Sequence, residues 1–240
     1  MIPKVLHSLL LVLTVLTTFV MSPPVFAAEG VDDDKDSDPW IGLNQRVFAF
    51  NETADRWVLK PVAKTYVSVV PAFARQNVGN VFSNLGDVRN GVNNLLQGKP
   101  LKSLSDVGRI LINSSLGLAG LFDPASGIGL TKHNESFGQT LSVWGVPKGP
   151  YLVLPLLGPS TLTDLIARRL DSPLDPLRYL HPVDHRNRTF GLRIVDQRAS
   201  VLAAERLVFG DRYVFLRDAY LQRRNYLVND GVVKDSFEEF

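Results

Sequence analysis

Two hundred and forty residues, 45% hydrophobic and 21% charged, can bury one sizeable core, and they exclude a disordered tail and a multi-pass membrane protein alike. Twenty-six Lys and Arg against 24 Asp and Glu leave a net charge of +2, which gives no case for nucleic acid as a partner. The absence of cysteine excludes disulfides, thiolate metal sites and a cysteine nucleophile.

Lys4 and His7 precede an apolar run from Leu9 to Val20, which Pro23 and Pro24 break before the small-x-Ala pattern Val25-Phe26-Ala27. Residues 1–27 therefore read as a secretory signal peptide whose apolar run is short for a span of about 20 residues, and the chain is expected to be exported. Glu29 to Asp38 carries six acids against the single base Lys35, so residues 28–37 read as a solvated acidic linker.

Asp38 and Pro39 suit the N-cap and first position of a helix. Trp40, Leu43, Val47, Phe50, Ala54 and Trp57 then recur at steps of three and four as one apolar stripe, with Trp40 and Trp57 expected to anchor a core. Pro61 and Pro71 bracket a short segment, Val62 to Val70. Phe73 to Leu85 and Val88 to Gln97 read as two short helices loosened by Asn and Gly, and Gly98-Lys99-Pro100 as a turn. Ser103 to Leu116 reads as a helix apolar nearly all round, suited to burial in protein or lipid.

Eight glycines and five prolines then fall between Gly117 and Ser160, interleaved with large apolar residues. Two readings stay open for this stretch: an irregular segment packed by its own side chains, or backbone that lines a cavity or touches lipid head groups. Tyr151 to Leu154 is the best strand candidate. Arg188 to Phe209 and Asp211 to Val228 are expected helices, the second with Tyr213, Leu216, Tyr220 and Leu227 on one stripe. Nine arginines and four acids between Arg186 and Val228 suit a solvated helix face, or a surface for anionic head groups or an acidic partner. No internal repeat is present, and the fold class expected is mainly α.

Chemistry-bearing motifs are scarce. There is no Gly-x-Ser-x-Gly elbow, no Walker A loop and no dinucleotide fingerprint. His181 and His185 lie four apart, but Pro182 makes a continuous helix between them awkward and no further ligand stands out. His133 has no supporting hydrolase motif. Neither an enzyme, a metal nor a cofactor is expected.

Several segments in a fixed order resemble the MlaA (VacJ) family of Gram-negative phospholipid-transport proteins. They are Asp38-Pro39-Trp40 with Asn44 to Asn51; Ser83 to Asp87 and Asn93 to Gly98; Asn113 to Asp123; and Phe137-Gly138-Gln139-Thr140-Leu141 with Trp144-Gly145. Gly149 to Pro155, Gly158-Pro159-Ser160, Val195 to Ala199 and Arg217 to Gln222 complete the set. The resemblance covers residues 38–232, leaving 233–240 as a tail.

It implies a single ring-like multi-helix domain on the periplasmic side of the outer membrane. Such a domain would enclose an amphipathic channel that removes mislocalised phospholipid from the outer leaflet. The implied partners are phospholipids, a periplasmic carrier protein and a trimeric porin. The lipid-contacting or channel residues expected on this basis are Asn44, Phe48 and Asn51; Gly138, Gln139, Thr140 and Trp144; and Pro150, Tyr151, Gly158 and Pro159. Asparagines and Gln139 would meet head groups, aromatics would meet chains, and Gly and Pro would shape the loop. Many members are anchored through an acylated cysteine; with none here, attachment is expected through apolar surface or a partner. The other reading is an envelope scaffold that docks on a porin and moves nothing.

Overall fold

Helices dominate the computed structural model, which describes residues 38–232; the segments read as signal peptide, acidic linker and tail fall outside these. The first helix, α1 (Ile41–Ala54), runs through a π-helical turn (Asp55–Leu59) into α2 (Lys60–Val69). Pro61 explains the widened turn: lacking an N–H, it cannot donate back along an α ladder, and the spacing loosens just before it so that Lys60 N–H reaches the Asp55 carbonyl. Pro71 then ends the run, and α3 (Ala72–Leu96) starts after it.

The long helix α3 packs along α4 (Pro100–Ser115), and a single-turn helix α5 (Pro124–Gly127) closes over the end of α4. The short helix α6 (Phe137–Val143) leads to a hairpin of β1 (Tyr151–Leu154) and β2 (Gly158–Thr161), antiparallel with Tyr151 opposite Thr161 and Leu154 opposite Gly158. Leu156 at φ 61° and Gly158 at φ 76° make the reversal in left-handed backbone. Next come α7 (Leu162–Asp171), two 3₁₀ turns (Ser172–Leu174 and Pro176–Tyr179), α8 (Val183–Ser200), a 3₁₀ turn (Ala204–Leu207) and α9 (Arg212–Val228). The mainly α class, the Tyr151–Leu154 strand and the Asp211-capped last helix agree with the sequence reading; Asp211 accepts from Tyr213 N–H at 2.8 Å.

Three local expectations are corrected. Asp38 does not cap α1; it is buried, accepting from Asn44 Nδ2 at 2.7 Å and from the Tyr213 hydroxyl. The two short helices expected between Phe73 and Gln97 are one helix of 25 residues, because the asparagines that would loosen it find buried partners on other elements. Trp40 and Trp57 are 43% and 76% exposed, so neither anchors a core, and of the stripe Val47 packs against one.

That last correction is general. Among the described residues, seven apolar side chains are buried against eighteen polar or charged ones, the reverse of a water-soluble domain. The apolar core is small: Tyr151, Val153 and Tyr213, flanked by Val47, Phe48, Tyr220 and Leu221. On α4 the buried residues are Ser103, Asp106, Arg109 and Asn113, while Leu101, Leu104, Val107 and Leu111 point outward. No helix among the described residues is long and apolar enough to cross a membrane.

Candidate functional site

Asn44 and Asn51 lie seven residues apart on α1, about 10 Å along the axis, and β1 covers nearly the same distance in three residues. The match lets both side chains clamp the strand. Asn44 donates to the Tyr151 carbonyl at 3.1 Å and accepts from Val153 N–H at 2.9 Å. Asn51 donates to the Leu154 carbonyl at 2.9 Å and accepts from Leu156 N–H at 2.7 Å. Asn44 is fully buried, with its polar atoms bonded to Asp38 and to the hairpin. Phe48 and Tyr151 each pack edge-on against Tyr213, and Tyr151 meets Tyr220 at a tilt. Burial pushes the Tyr151 hydroxyl up to about 12, with the Asp38 carboxylate adding to the effect.

The central block is likewise bonded to its surroundings. A Cβ on Gly138 would overlap the Asp164 carboxylate, which accepts from Arg224 Nε at 2.9 Å and from the Tyr220 hydroxyl. Glycine is needed there for close approach between α6 and α7. Thr140 donates to Asn93 Oδ1 at 2.8 Å and accepts from Gln97 Nε2 at 3.2 Å. Gln139 donates to the Asn134 carbonyl at 3.0 Å, and the Trp144 indole to the Leu96 carbonyl at 3.1 Å. The Pro150 carbonyl receives Leu162 N–H at 3.0 Å, Pro159 pairs opposite Val153 in the hairpin, and Gly158 supplies the positive φ.

Between α3 and α4 lies a polar interior the sequence reading missed. Arg109 donates from Nε to Asp87 at 3.2 Å, from Nη2 to Asp123 at 3.0 Å, and from Nη1 to Ser126 and the Leu130 carbonyl. Lys132 pairs with Asp87 from the other side. Burial would raise Asp123, but hydrogen bonds from Ser126, Asn113 and Arg109 prevail and hold it far below the usual carboxylate range. Asp106 takes Asn94 Nδ2 at 2.8 Å and contacts His133 Nδ1 at 2.8 Å; burial raises its pKa, and His133 and Asn94 offset part of that. His133 is thus a bracing residue, and His181 and His185 are exposed. The signal for this interior was available: Asn84, Asp87 and Asn90, then Asn94, recur at three and four on α3, as Ser103, Asp106, Arg109 and Asn113 do on α4.

A cavity of about 1100 Å³ opens beside this interior, walled by the middle of α3, the end of α7, the 3₁₀ turns and α8. One part of its lining is cationic: Arg89, Lys132, Arg168, Arg169, Arg178, Arg186 and Arg193. Asp171, Asp175 and Asp196 are its acids, and Phe82, Leu85, Leu157, Leu174, Phe190 and Ile194 give apolar wall. Burial pushes Asp171 up, while Phe137 N–H, Asn93 and the charge of Arg89 pull it back. The volume exceeds the roughly 300–1,000 Å³ typical of small-molecule pockets, and the lining is amphipathic. None of the eleven residues expected at the site lines this cavity; the hairpin reaches it only through Leu157, next to Gly158. Those eleven residues hold up the hairpin and α6, and the arginines facing the cavity were not among them.

The family model described as MlaA lipoprotein matches residues 36–227. This chain belongs to the MlaA family. The intermembrane phospholipid transport system lipoprotein MlaA of Escherichia coli (strain K12) is 33% identical over 216 residues, covering 87% of this chain and 85% of that protein. Its counterpart in Haemophilus influenzae is 29% identical over 240 residues, covering 94% of each. An uncharacterized protein of Rickettsia felis is 34% identical over 191 residues, covering 78% of this chain and 76% of that one. A solved chain from work on the structural basis for maintenance of bacterial outer membrane lipid asymmetry superposes with a TM-score of 0.72 at 33% identity, covering 80% of this chain and all of the other. Within the MlaA fold of this chain, then, the resemblance-carrying segments are mostly those that brace the hairpin, α6 and the α3–α4 interior.

Proposed function

We propose that this chain takes part in intermembrane phospholipid transport in the bacterial envelope, moving phospholipid from the outer membrane toward a periplasmic carrier without covalent chemistry and so maintaining lipid asymmetry. The observation that carries the reading is the inversion of the fold: a hydrogen-bonded polar interior with large apolar side chains outside. In water such an exterior is unfavourable, because exposed apolar patches of this extent mark membrane or protein contact. Among acyl chains it is favourable, and a domain seated in one leaflet would present Trp57, Leu101, Leu104 and Leu111 to lipid. This also supplies a means of attachment that needs no acylated residue.

A phospholipid with about 30 chain methylenes, at ~0.8 kcal/mol each, faces on the order of 20 kcal/mol to enter water. Its head group faces a comparable obstacle in hydrocarbon. A cavity with cationic and apolar walls lowers both barriers together, and the lining from Arg89 to Phe190 is of that kind. A trimeric porin at the apolar exterior and a periplasmic carrier receiving the lipid complete the reading, with no nucleic acid involved. The scaffold alternative requires only the exterior and leaves the cavity without a use.

Deletion of the chain, followed by treatment of intact cells with an added phospholipase, tests the reading. More cleavable phospholipid at the cell surface than in the parent, reversed by the wild-type chain, is the expected result. An unchanged surface with porin docking retained would leave the scaffold standing instead.

A further inference from the structure

The cavity holds more positive charge than its own carboxylates can answer. Asp175 pairs with Arg193 at 2.8 Å and accepts from Leu177 N–H at 3.1 Å. Asp196 accepts from the Tyr66 hydroxyl at 3.1 Å. Asp171, the carboxylate that feels the charge of Arg89, has its two oxygens bonded to Asn93 Nδ2 and Phe137 N–H at 3.0 Å each. Arg89 is left with an enclosed Nε that meets no acceptor among the described residues. Arg168 and Arg169 enter the same cavity from α7 with no ion-pair partner among those residues.

The Arg89 Nε has no surface open to the cavity, so a ligand can reach only the remaining guanidinium nitrogens, which make no hydrogen bond or ion pair among the described residues and which an anion would complete. The group that fits a guanidinium fork is a phosphate or carboxylate, gripped through two parallel N–H bonds. Phe82 and Leu85 flank Arg89 in the cavity lining and suit the start of an acyl chain.

We propose that Arg89 is the phosphate-binding residue of this cavity and that, with Arg168 and Arg169 supplying surplus positive charge, the site selects phospholipids of net negative charge over zwitterionic ones. This rests on the transport reading, and it adds the head-group preference and the residue that sets it. A zwitterionic head group brings its own ammonium into a field already positive, whereas a phosphatidylglycerol head group does not.

The test uses the full mature chain in mixed micelles holding equal amounts of phosphatidylglycerol and phosphatidylethanolamine, with bound lipid read by native mass spectrometry. Wild-type protein is expected to carry phosphatidylglycerol in excess by about tenfold, the size of one charge-assisted contact. Arg89→Gln should bring the ratio close to one, Arg89→Lys should fall between, and Arg223→Gln, an exposed arginine outside the cavity, should leave it as in wild type. Should Arg89→Gln fail to fold, salt gives the same answer on unaltered protein. Raising it from about 0.1 M to about 1 M shortens the screening length from ~10 Å to ~3 Å and should lower the selectivity, by less than for a pair in open solvent because the site is partly enclosed. Equal uptake of the two lipids, or a salt-independent preference, would overturn this proposal alone. Glycerol 3-phosphate displacing lipid at the lipid's own concentration would assign the site to a free phosphate and overturn the head-group assignment. No lipid on wild-type protein would overturn the transport reading and this proposal with it.

Discussion

At the scale of single residues, the fold rests on polar side chains that a soluble protein would place outside. Arg109 is enclosed between Asp87 and Asp123, and removing one member of a buried ion-pair group leaves the others uncompensated. Arg109→Ala is expected to lower stability by about 3–5 kcal/mol, measured by urea unfolding in detergent micelles. Asn44→Ala strips partners from Asp38, the Tyr151 carbonyl and Val153 N–H together. A loss of roughly 2–4 kcal/mol follows from those unmet groups, with lipid selectivity per folded molecule unchanged. A selectivity change in Asn44→Ala at unaltered stability would return this residue to the lipid path. Asn44, Asn51 and Gly138 were candidates in the sequence through their places in the segments that resemble the MlaA family. Their work was not legible: the sequence gives no sign that Asn44 and Asn51 meet a strand about a hundred residues away, or that Gly138 exists to admit Asp164.

At the scale of elements, helical periodicity located α1, α4 and α9 well. For α1 it misjudged where the apolar face looks, since Trp40, Leu43 and Phe50 are exposed, whereas the Tyr213 and Tyr220 stripe of α9 does pack inward. A period of 3.6 says that one side of a helix is apolar and the other polar; it does not say which side meets the rest of the protein. The polar rows of α3 and α4 carry the same period as an apolar stripe and hold the two helices together through hydrogen bonds. One more polar knot ties distant elements. Glu205 accepts from Lys60 at 3.0 Å, from Arg198 at 3.1 Å and from Arg212 at 3.2 Å, joining α2, α8 and α9. Burial would raise its pKa, but these three cations bring it from 4.5 down to about 2. A carboxyl group with a depressed folded value stabilises the protein above its ordinary pKa and loses that contribution as pH falls through the folded one. Unfolding followed from pH 6 to pH 2 should therefore show this knot weakening between about 4.5 and about 2. Glu205→Gln should flatten that part of the profile, and a wild-type profile identical to the variant's would contradict the assignment.

At the scale of the whole molecule, the inverted distribution of side chains supports the proposed reading. Leu104 and Leu111 lie on the outer side of α4. Replacing both with Glu should leave the folded core intact and shift the protein from membrane to aqueous fractions on sedimentation, since each charge placed in hydrocarbon is disfavoured by several kcal/mol or about 2.5–3.5 near its centre. Exposed tryptophans offer the most direct probe, because the chain has three and the structure sorts them: Trp40 and Trp57 outward, Trp144 tucked against Leu96 and Phe137. Variants keeping one tryptophan each, bound to vesicles whose acyl chains carry bromine, would be followed by fluorescence. Strong quenching of Trp57 with Trp144 spared is the expected result. Trp57 untouched by bromine yet quenched by acrylamide from the aqueous side would contradict an apolar exterior seated in lipid.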